Sequence, residues 1–402
     1  LVIDGRMSAQ LDGTIDNEKI HLLSGTITSS AGDVALPFRQ NKDVRYSDFD
    51  ADFAYSRDDN LLTVKRTSIL IDNEYRFSLS GQVLGVHTVL PRMNVTVLAE
   101  EFLIGKLMTL WPDDWASAKK AQLQKTISGG RFRTATLTFK GQFDTNKHAL
   151  LLSSAQLQGD VANVRLDARL PQYQQIVGTL HGAVDIELEQ SGQVARAIID
   201  TKMQNGFLLL DQFDKSIRIP EAALKMRYEP GQLQISQASI DFDAYGKMEA
   251  TVNAHIAEML NVQDATADMS IAAQDIPVNF FQALWPRKWA PKAFPWIRDH
   301  ISDGMMSNVA IDMTLDGSED TSSLVTQVTG TIDLERTSFQ LYETMHPFQQ
   351  IDATLTFADN ELIVNTNNGE MPSLNLTKAT VRYGPLYNPE KHPRDVDISL
   401  AM

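Results

Sequence analysis

The chain has 402 residues, two to three times the usual length of one domain, so it predicts either several domains or one repetitive body. With 43% hydrophobic and 22% charged residues it can bury a large core, which excludes the disordered class. The net charge is −15, and the densest basic stretches, such as Lys119-Lys120 and Arg287-Lys288, are only pairs, which argues against a nucleic-acid surface.

The sequence contains no cysteine and no long apolar run. The first absence excludes disulfides, thiolate metal sites and cysteine nucleophiles, and it fits an oxidising compartment. No stretch reaches the roughly 18 apolar residues of a membrane span. The sequence starts at Leu1 without an initiator Met or a leader, so we expect it to be a segment of a longer protein whose signal or anchor lies outside it.

Alternation of apolar and polar residues is the dominant pattern, and a period of two is typical of β-strands with one apolar face. The clearest runs are 76–83, 164–170, 184–189, 309–315 and 351–357. Turn sequences separate such runs at hairpin spacing, which predicts antiparallel meanders. Three hairpins, at 53–64, 226–235 and 355–364, resemble one another, which indicates an internal repeat.

A tryptophan motif gives the strongest internal match. Leu110-Trp111-Pro112 and Trp115 recur as Leu284-Trp285-Pro286 and Trp289, at an offset of 174 residues. The match continues to Gly130 and Gly304, with 8 of 21 positions identical, and an alternating run follows each glycine. We therefore predict two copies of one structural unit.

A short helix is predicted after each Leu-Trp-Pro, because Pro fits the first helical turn and Gly is a frequent stop. In the second copy Pro291 and Pro295 would break a continuous helix, so we place that helix from about Pro295 to Asp303. Trp296, Ile297, His300 and Ile301 are spaced for one of its faces.

The remaining residues amount to about 30 strands at roughly 12 residues each, and two short helices cannot cover the apolar faces of so many. The faces must be covered by a second sheet, by closure into a barrel, or by a ligand such as acyl chains. Periodicity alone leaves these three alternatives open.

The Trp motifs resemble a known family. The Leu-Trp-Pro, second Trp, short helix and Ile-Ser-x-Gly signature, clearest from Leu284 to Gly304, is similar to the AsmA-like proteins, in particular the YhdP branch. That branch is grouped with TamB among the repeating β-groove, bridge-like lipid-transfer proteins. The first copy departs from the pattern, with Ala121 and Gln122 where the second has Pro295 and Trp296.

The resemblance implies a mainly β fold, an elongated, curled antiparallel β-groove of repeated meanders. It also implies a periplasmic segment, anchored to the inner membrane from outside this chain, that conducts phospholipid between the inner and outer membranes. The expected partners are phospholipid acyl chains and the two membranes. The corresponding organisation is groove segments at 1–109, 131–283 and 305–402, with Trp-containing helix inserts at 110–130 and 284–304.

Two sets of residues are candidates for function. The expected lining of the groove is Phe77, Leu79, Val184, Ile186, Leu188, Ile311 and Met313. The tryptophans either plug the inserts into the sheet, which the sequence favours, or line or gate the lipid path. They are Trp111, Trp115, Trp285, Trp289 and Trp296.

The sequence predicts no enzyme, no cofactor and no catalytic or metal site. Its eight histidines form no close pair, and phosphate-loop and nucleophile-elbow motifs are missing. The run from Asp48 to Asp52 begins like a calcium loop but has Phe53 at the sixth position and Asp59 at the twelfth. The favoured interpretation is a strand with its carboxylates on the solvent-exposed face and with Phe49, Ala51 and Phe53 on the buried face.

Two other functions compete with a lipid conduit. A structural or chaperone-like envelope factor would bury its apolar side chains and offer backbone edges to outer-membrane proteins during their assembly. An adhesin-type solenoid ranks last, because it requires repeats of about 20 to 30 residues and the firm period here is 174.

Overall fold

A computed structural model of the chain consists almost entirely of β-strands in antiparallel pairs. The structure describes sixteen ranges of residues. They are 2–16, 19–35, 44–71, 73–106, 125–146, 149–170, 173–191, 193–210, 216–256, 265–284, 293–316, 325–340, 346–366, 368–371, 374–386 and 395–401. The strands belong to one antiparallel sheet, which confirms the predicted fold class.

The chain divides into two compact units. Unit 1 comprises residues 1–168 and 179–201, and unit 2 comprises residues 169–178 and 202–402. Strands β9, β10 and β11 contribute residues to both units. The strands that begin in unit 1 or at its boundary are β1 (Val2–Asp16), β2 (Lys19–Ala35), β3 (Val44–Ser56), β4 (Leu61–Ile71), β5 (Tyr75–Leu84), β6 (Arg92–Leu103), β7 (Ile127–Ser128), β8 (Arg131–Asp144), β9 (Ala149–Leu170), β10 (Tyr173–Glu189) and β11 (Val194–Leu209).

Unit 2 contains the remaining strands, two α-helices and a 3-10 turn. The strands are β12 (Ile217–Glu229), β13 (Gly231–Asp241), β14 (Lys247–Ile256), β15 (Thr266–Pro277), β16 (Ile301–Ser302), β17 (Met305–Asp316), β18 (Val325–Phe339), β19 (Phe348–Ala358), β20 (Glu361–Thr366), β21 (Gly369–Met371), β22 (Leu374–Leu376), β23 (Lys378–Gly384) and β24 (Asp395–Ala401). The helices are α1 (Val278–Leu284) and α2 (Ala293–His300), and Asp243–Tyr245 forms a 3-10 turn.

The strands follow one another as meanders, with the same interruption in each unit. In unit 1, β6 pairs with β8, and the short β7 pairs with the far part of β9. In unit 2, β15 pairs with β17, and the short β16 pairs with the far part of β18. Since each interruption contains one Trp motif, the predicted duplication is confirmed at the level of strand pairing.

The sheet is not closed. Among the described strands, β1 pairs with β2 alone and β24 pairs with β23 alone. The three hairpins that resemble one another in sequence also share their register: Phe53 lies opposite Val64, Met226 opposite Ile235, and Leu355 opposite Val364.

Two expectations from the sequence were wrong in detail. The described residues form 24 strands rather than about 30, because many strands are longer than assumed, such as the 22 residues of β9. Helix α2 ends at His300 instead of Asp303, because Ile301 and Ser302 leave the helix to pair with Phe339 and Ser338. Helix α1, which precedes Trp285, was not predicted.

Candidate functional site

One face of the sheet in unit 1 carries apolar side chains in rows that cross the strands. Directly opposed residues share a face, so consecutive pairings trace each row. One row crosses six strands and consists mainly of half-buried residues. We call it the unit 1 row: Phe53, Val64, Gly81, Val95, Phe139 and Ala155.

Unit 2 contains a row at the equivalent register. It crosses β12, β13, β14, β15, β17 and β18, and all its members except Met313 are half-buried. We call it the unit 2 row: Met226, Ile235, Val252, Met269, Met313 and Val328. At a strand spacing of about 4.8 Å each row is on the order of 24 Å long.

The apolar face is more deeply buried near the inserts than near the hairpin turns. In unit 1 the end of the strands next to the first insert carries a tightly packed cluster. The ring of Phe102 lies edge-on to the rings of Tyr75 and Phe77, with centroids 5.3 and 5.2 Å away. We call this the insert-side cluster: Tyr75, Phe77, Ala99, Phe102, Ile104, Phe132, Ala135, Val161 and Val164. The rows toward the hairpin turns are therefore the accessible part of the face.

Each insert begins and ends at a clasp of two backbone segments. The Ile104 amide donates to the Gly130 carbonyl oxygen at 3.1 Å, and the Val278 amide donates to the Gly304 carbonyl oxygen at 3.2 Å. Both glycines have positive φ, 83° and 79°. A methyl group on Gly304 would lie 2.6 Å from the Glu335 carbonyl oxygen, so only glycine fits this close approach.

Helix α1 anchors the second insert to the sheet. Phe280 is fully buried, and its ring contacts the rings of Phe242 and Tyr245 at centroid distances of 5.0 and 4.8 Å. The side-chain Nε2 of Gln282 donates to the Ile301 carbonyl oxygen at 2.9 Å. These contacts hold the insert at one end of the strands, away from the unit 2 row.

The residues expected to line a groove fall into two groups by burial. Phe77, Ile311 and Met313 are buried, at 8%, 6% and 8% exposure. Leu79, Val184, Ile186 and Leu188 are half-buried. Within unit 1, Val184 packs against the insert-side cluster that contains Phe77, and Leu79 continues the same face two residues farther along β5. Ile311 and Met313 share the apolar face of unit 2.

The burial of the five tryptophan side chains cannot be compared with the sequence prediction in this way. Trp111, Trp115, Trp285 and Trp289 lie outside the described residues, and Trp296 lies in α2, where its side chain is outside them as well. Their role as a plug stays a prediction.

The opposite face of the sheet is polar and is crossed by side-chain hydrogen bonds. In unit 1 Thr26 donates to Asp52 at 2.7 Å; in unit 2 Thr314 donates to Asp268 at 2.9 Å and Thr354 donates to Asp333 at 2.8 Å. These bonds pair polar side chains of neighbouring strands on this face, and the alternation of residue types leaves the apolar side chains on the other face.

A polar cluster surrounds Asp185 on β10. Its carboxylate accepts hydrogen bonds from Gln156 at 2.9 Å, Gln158 at 3.2 Å and Arg196 at 2.8 Å. Burial raises the pKa of Asp185, but these bonds and the Arg196 charge outweigh it, so the pKa lies below its usual value. The cluster borders a shallow cavity of about 310 Å³. Because the carboxylate is paired with three side chains of neighbouring strands, we assign the cluster a structural role.

The calcium-like run is a strand, as the sequence favoured. It lies in β3, with Phe49 and Ala51 buried at 7% and 9% exposure, while Asp52 accepts a hydrogen bond from Thr26 on the other face. Within the described residues, His, Asp and Glu side chains form no group of three that could hold a metal ion. Among the described helices, none is long and apolar enough to cross a membrane.

Sequence reasoning missed the two rows as units. It identified the hairpins that contain Phe53 and Met226 but did not place Val95, Phe139 or Met269 beside them. The 174-residue offset was the available signal, because it relates Val95 to Met269 and Phe139 to Met313.

No family model, curated protein or solved structure matches the chain. The family resemblance therefore rests on the Trp motifs alone.

Proposed function

We propose that this chain is a periplasmic segment of a bridge-like lipid-transfer protein of the AsmA-like, YhdP-type class. In this proposal it conducts phospholipids between the inner and outer membranes, with the acyl chains on the apolar face of the sheet and the headgroups in water. It carries no catalytic role.

The observation that supports the proposal most directly is the pair of half-buried rows. Both consist of apolar side chains at matching register, and the described helices lie at the insert end of the strands, so they do not cover the rows. Contiguous accessible apolar surface of this kind is typical of binding sites.

Acyl chains are a suitable occupant on energetic grounds. Each methylene group that leaves water for an apolar surface contributes about 0.8 kcal/mol. The rows present only hydrocarbon, glycine and thioether groups, so a sliding chain meets no polar group that would hold it in one place. The polar face behind them remains in contact with water.

Lipid extraction followed by mass spectrometry of the purified chain tests the proposal. We expect phospholipid at stoichiometric amounts, and we expect its removal to be accompanied by binding of a fluorescent apolar probe. A chain that is folded by circular dichroism, carries no lipid and takes none from vesicles would contradict the proposal.

One observation favours the second candidate, an assembly factor that offers part of its sheet to another protein. Met7, Leu11 and Ile15 on β1 are 45%, 56% and 73% exposed. Replacing these three side chains with Ser would remove this exposed apolar surface without changing the two rows. Loss of a partner-protein interaction with lipid content intact would favour this candidate over the conduit.

A further inference from the structure

The two rows occupy equivalent places but differ in chemistry. Val95 lies opposite Phe139 in unit 1, and Met269 lies opposite Met313 in unit 2. A bulge precedes the first residue of each row, between Asp52 and Phe53 and between Lys225 and Met226. Because the two rows share their register and their bulges, their residues can be compared position by position.

Three positions change to methionine between the units. Phe53 corresponds to Met226, Val95 to Met269 and Phe139 to Met313. Next to the rows, Phe77 pairs with Ala99 as Met248 pairs with Ala273, which adds a fourth exchange. The unit 2 face has therefore replaced rigid rings and a branched side chain with unbranched thioethers.

Three of the four exchanged side chains are accessible to a ligand. Met226, Met248 and Met269 are half-buried, and only Met313 is buried, at 8% exposure. Methionine has three rotatable bonds and a polarizable sulfur, so it adjusts to irregular shapes, whereas a phenyl ring keeps a flat, fixed surface. Binding surfaces that accept varied partners use methionine for this reason.

We propose that the unit 2 row is a binding surface for bent acyl chains, those with cis double bonds; this proposal rests on the proposed lipid function. The unit 1 row, with Phe53 and Phe139, favours straight saturated chains. The methionines would let unit 2 contact a kinked chain along its length without leaving gaps, which cost contact energy.

Exchange of the row residues tests this proposal. In the full chain, Met226→Phe, Met269→Val and Met313→Phe are combined, so that unit 2 receives the unit 1 residues. The probe is a vesicle with equal amounts of two phosphatidylethanolamines of equal chain length, one saturated and one cis-monounsaturated. Native mass spectrometry gives the ratio of the two bound lipids. We expect the ratio of unsaturated to saturated bound lipid to fall about fourfold, the effect of one buried methylene group, with total bound lipid maintained.

Two controls make the result interpretable. Met305 is adjacent to buried Met306 in β17, and successive side chains of a strand point to opposite faces, so Met305 lies on the other face. Met305→Phe should therefore leave the ratio of the two bound lipids unchanged. The reciprocal set, Phe53→Met, Val95→Met and Phe139→Met, should raise the unsaturated share, and it decides the question if the first set fails to fold.

The failures are distinguishable. If both exchange sets maintain total bound lipid and leave the ratio unchanged, the assignment of bent acyl chains to the unit 2 row is wrong. The proposed lipid conduit is unaffected by that result. A wild-type chain that binds neither lipid overturns both proposals.

Discussion

The Val278 amide donates a hydrogen bond to the carbonyl oxygen of Gly304, 174 residues after Ile104 and Gly130 make the same bond in unit 1. The two clasps show that the duplication extends to backbone geometry. Glu101 and Asp275, just before the clasps, also share positive φ values of 50° and 56°.

Replacing Gly304 with Ala should destabilise unit 2 by about 1–3 kcal/mol, because its φ of 79° is unfavourable for Ala and the added carbon meets the Glu335 oxygen. Gly231→Ala is the matched control: its φ is 83°, but a methyl group there meets nothing within 4 Å, so we expect about 1 kcal/mol. Thermal unfolding measures both. Equal losses would mean that the close approach is unimportant.

Phe280→Ala should cost about 3–5 kcal/mol, because the ring is fully buried between Phe242 and Tyr245 and its loss leaves a cavity. Its exposed neighbour in α1, Asn279→Ala, should change stability by less than about 0.5 kcal/mol. Denaturant unfolding compares them. A small loss for Phe280→Ala would show that α1 does not anchor the insert.

Ile186→Asp and Ile311→Asp separate an accessible path from a core. Ile186 is half-buried, so a carboxylate there can stay hydrated while it repels a passing acyl chain; we expect a folded, lipid-poor protein. Ile311 is 6% exposed, so the same charge should destabilise unit 2 by about 3–5 kcal/mol. Circular dichroism and lipid content are the readouts. An Ile186→Asp protein that is folded with normal lipid content would remove Ile186 from the path.

Asp185 should make unit 1 sensitive to acid. Its folded pKa is below the unfolded value, so its stabilising effect is present above the ordinary pKa of about 3.9 and is lost as the pH falls through the folded pKa. Asp185→Asn should lower stability at neutral pH by about 1–3 kcal/mol, since the bonds from Gln156, Gln158 and Arg196 lose the charge. The difference between wild type and variant should shrink below pH 4. A constant difference across that range would exclude this role for the carboxylate.

Strand type was predictable from local periodicity, and the duplication was predictable from the identity of two motifs. Alternation in β5 and β17 needs only the period of two, and the Trp motifs align by identity. The apolar face of each strand follows directly from the same period.

Register and burial were decided by the tertiary structure. An insert separates β6 from β8 and β15 from β17, so the partners of Val95 and Met269 could not be counted from a hairpin turn. Phe77 and Leu79 share a face and lie two residues apart, yet Phe77 is buried and Leu79 is half-buried. The sequence determined which residues are apolar and on which side of a strand they lie. The packing of Phe102 against Phe77 decided which of them are core and which remain accessible to a ligand, because burial depends on neighbours that are distant in sequence.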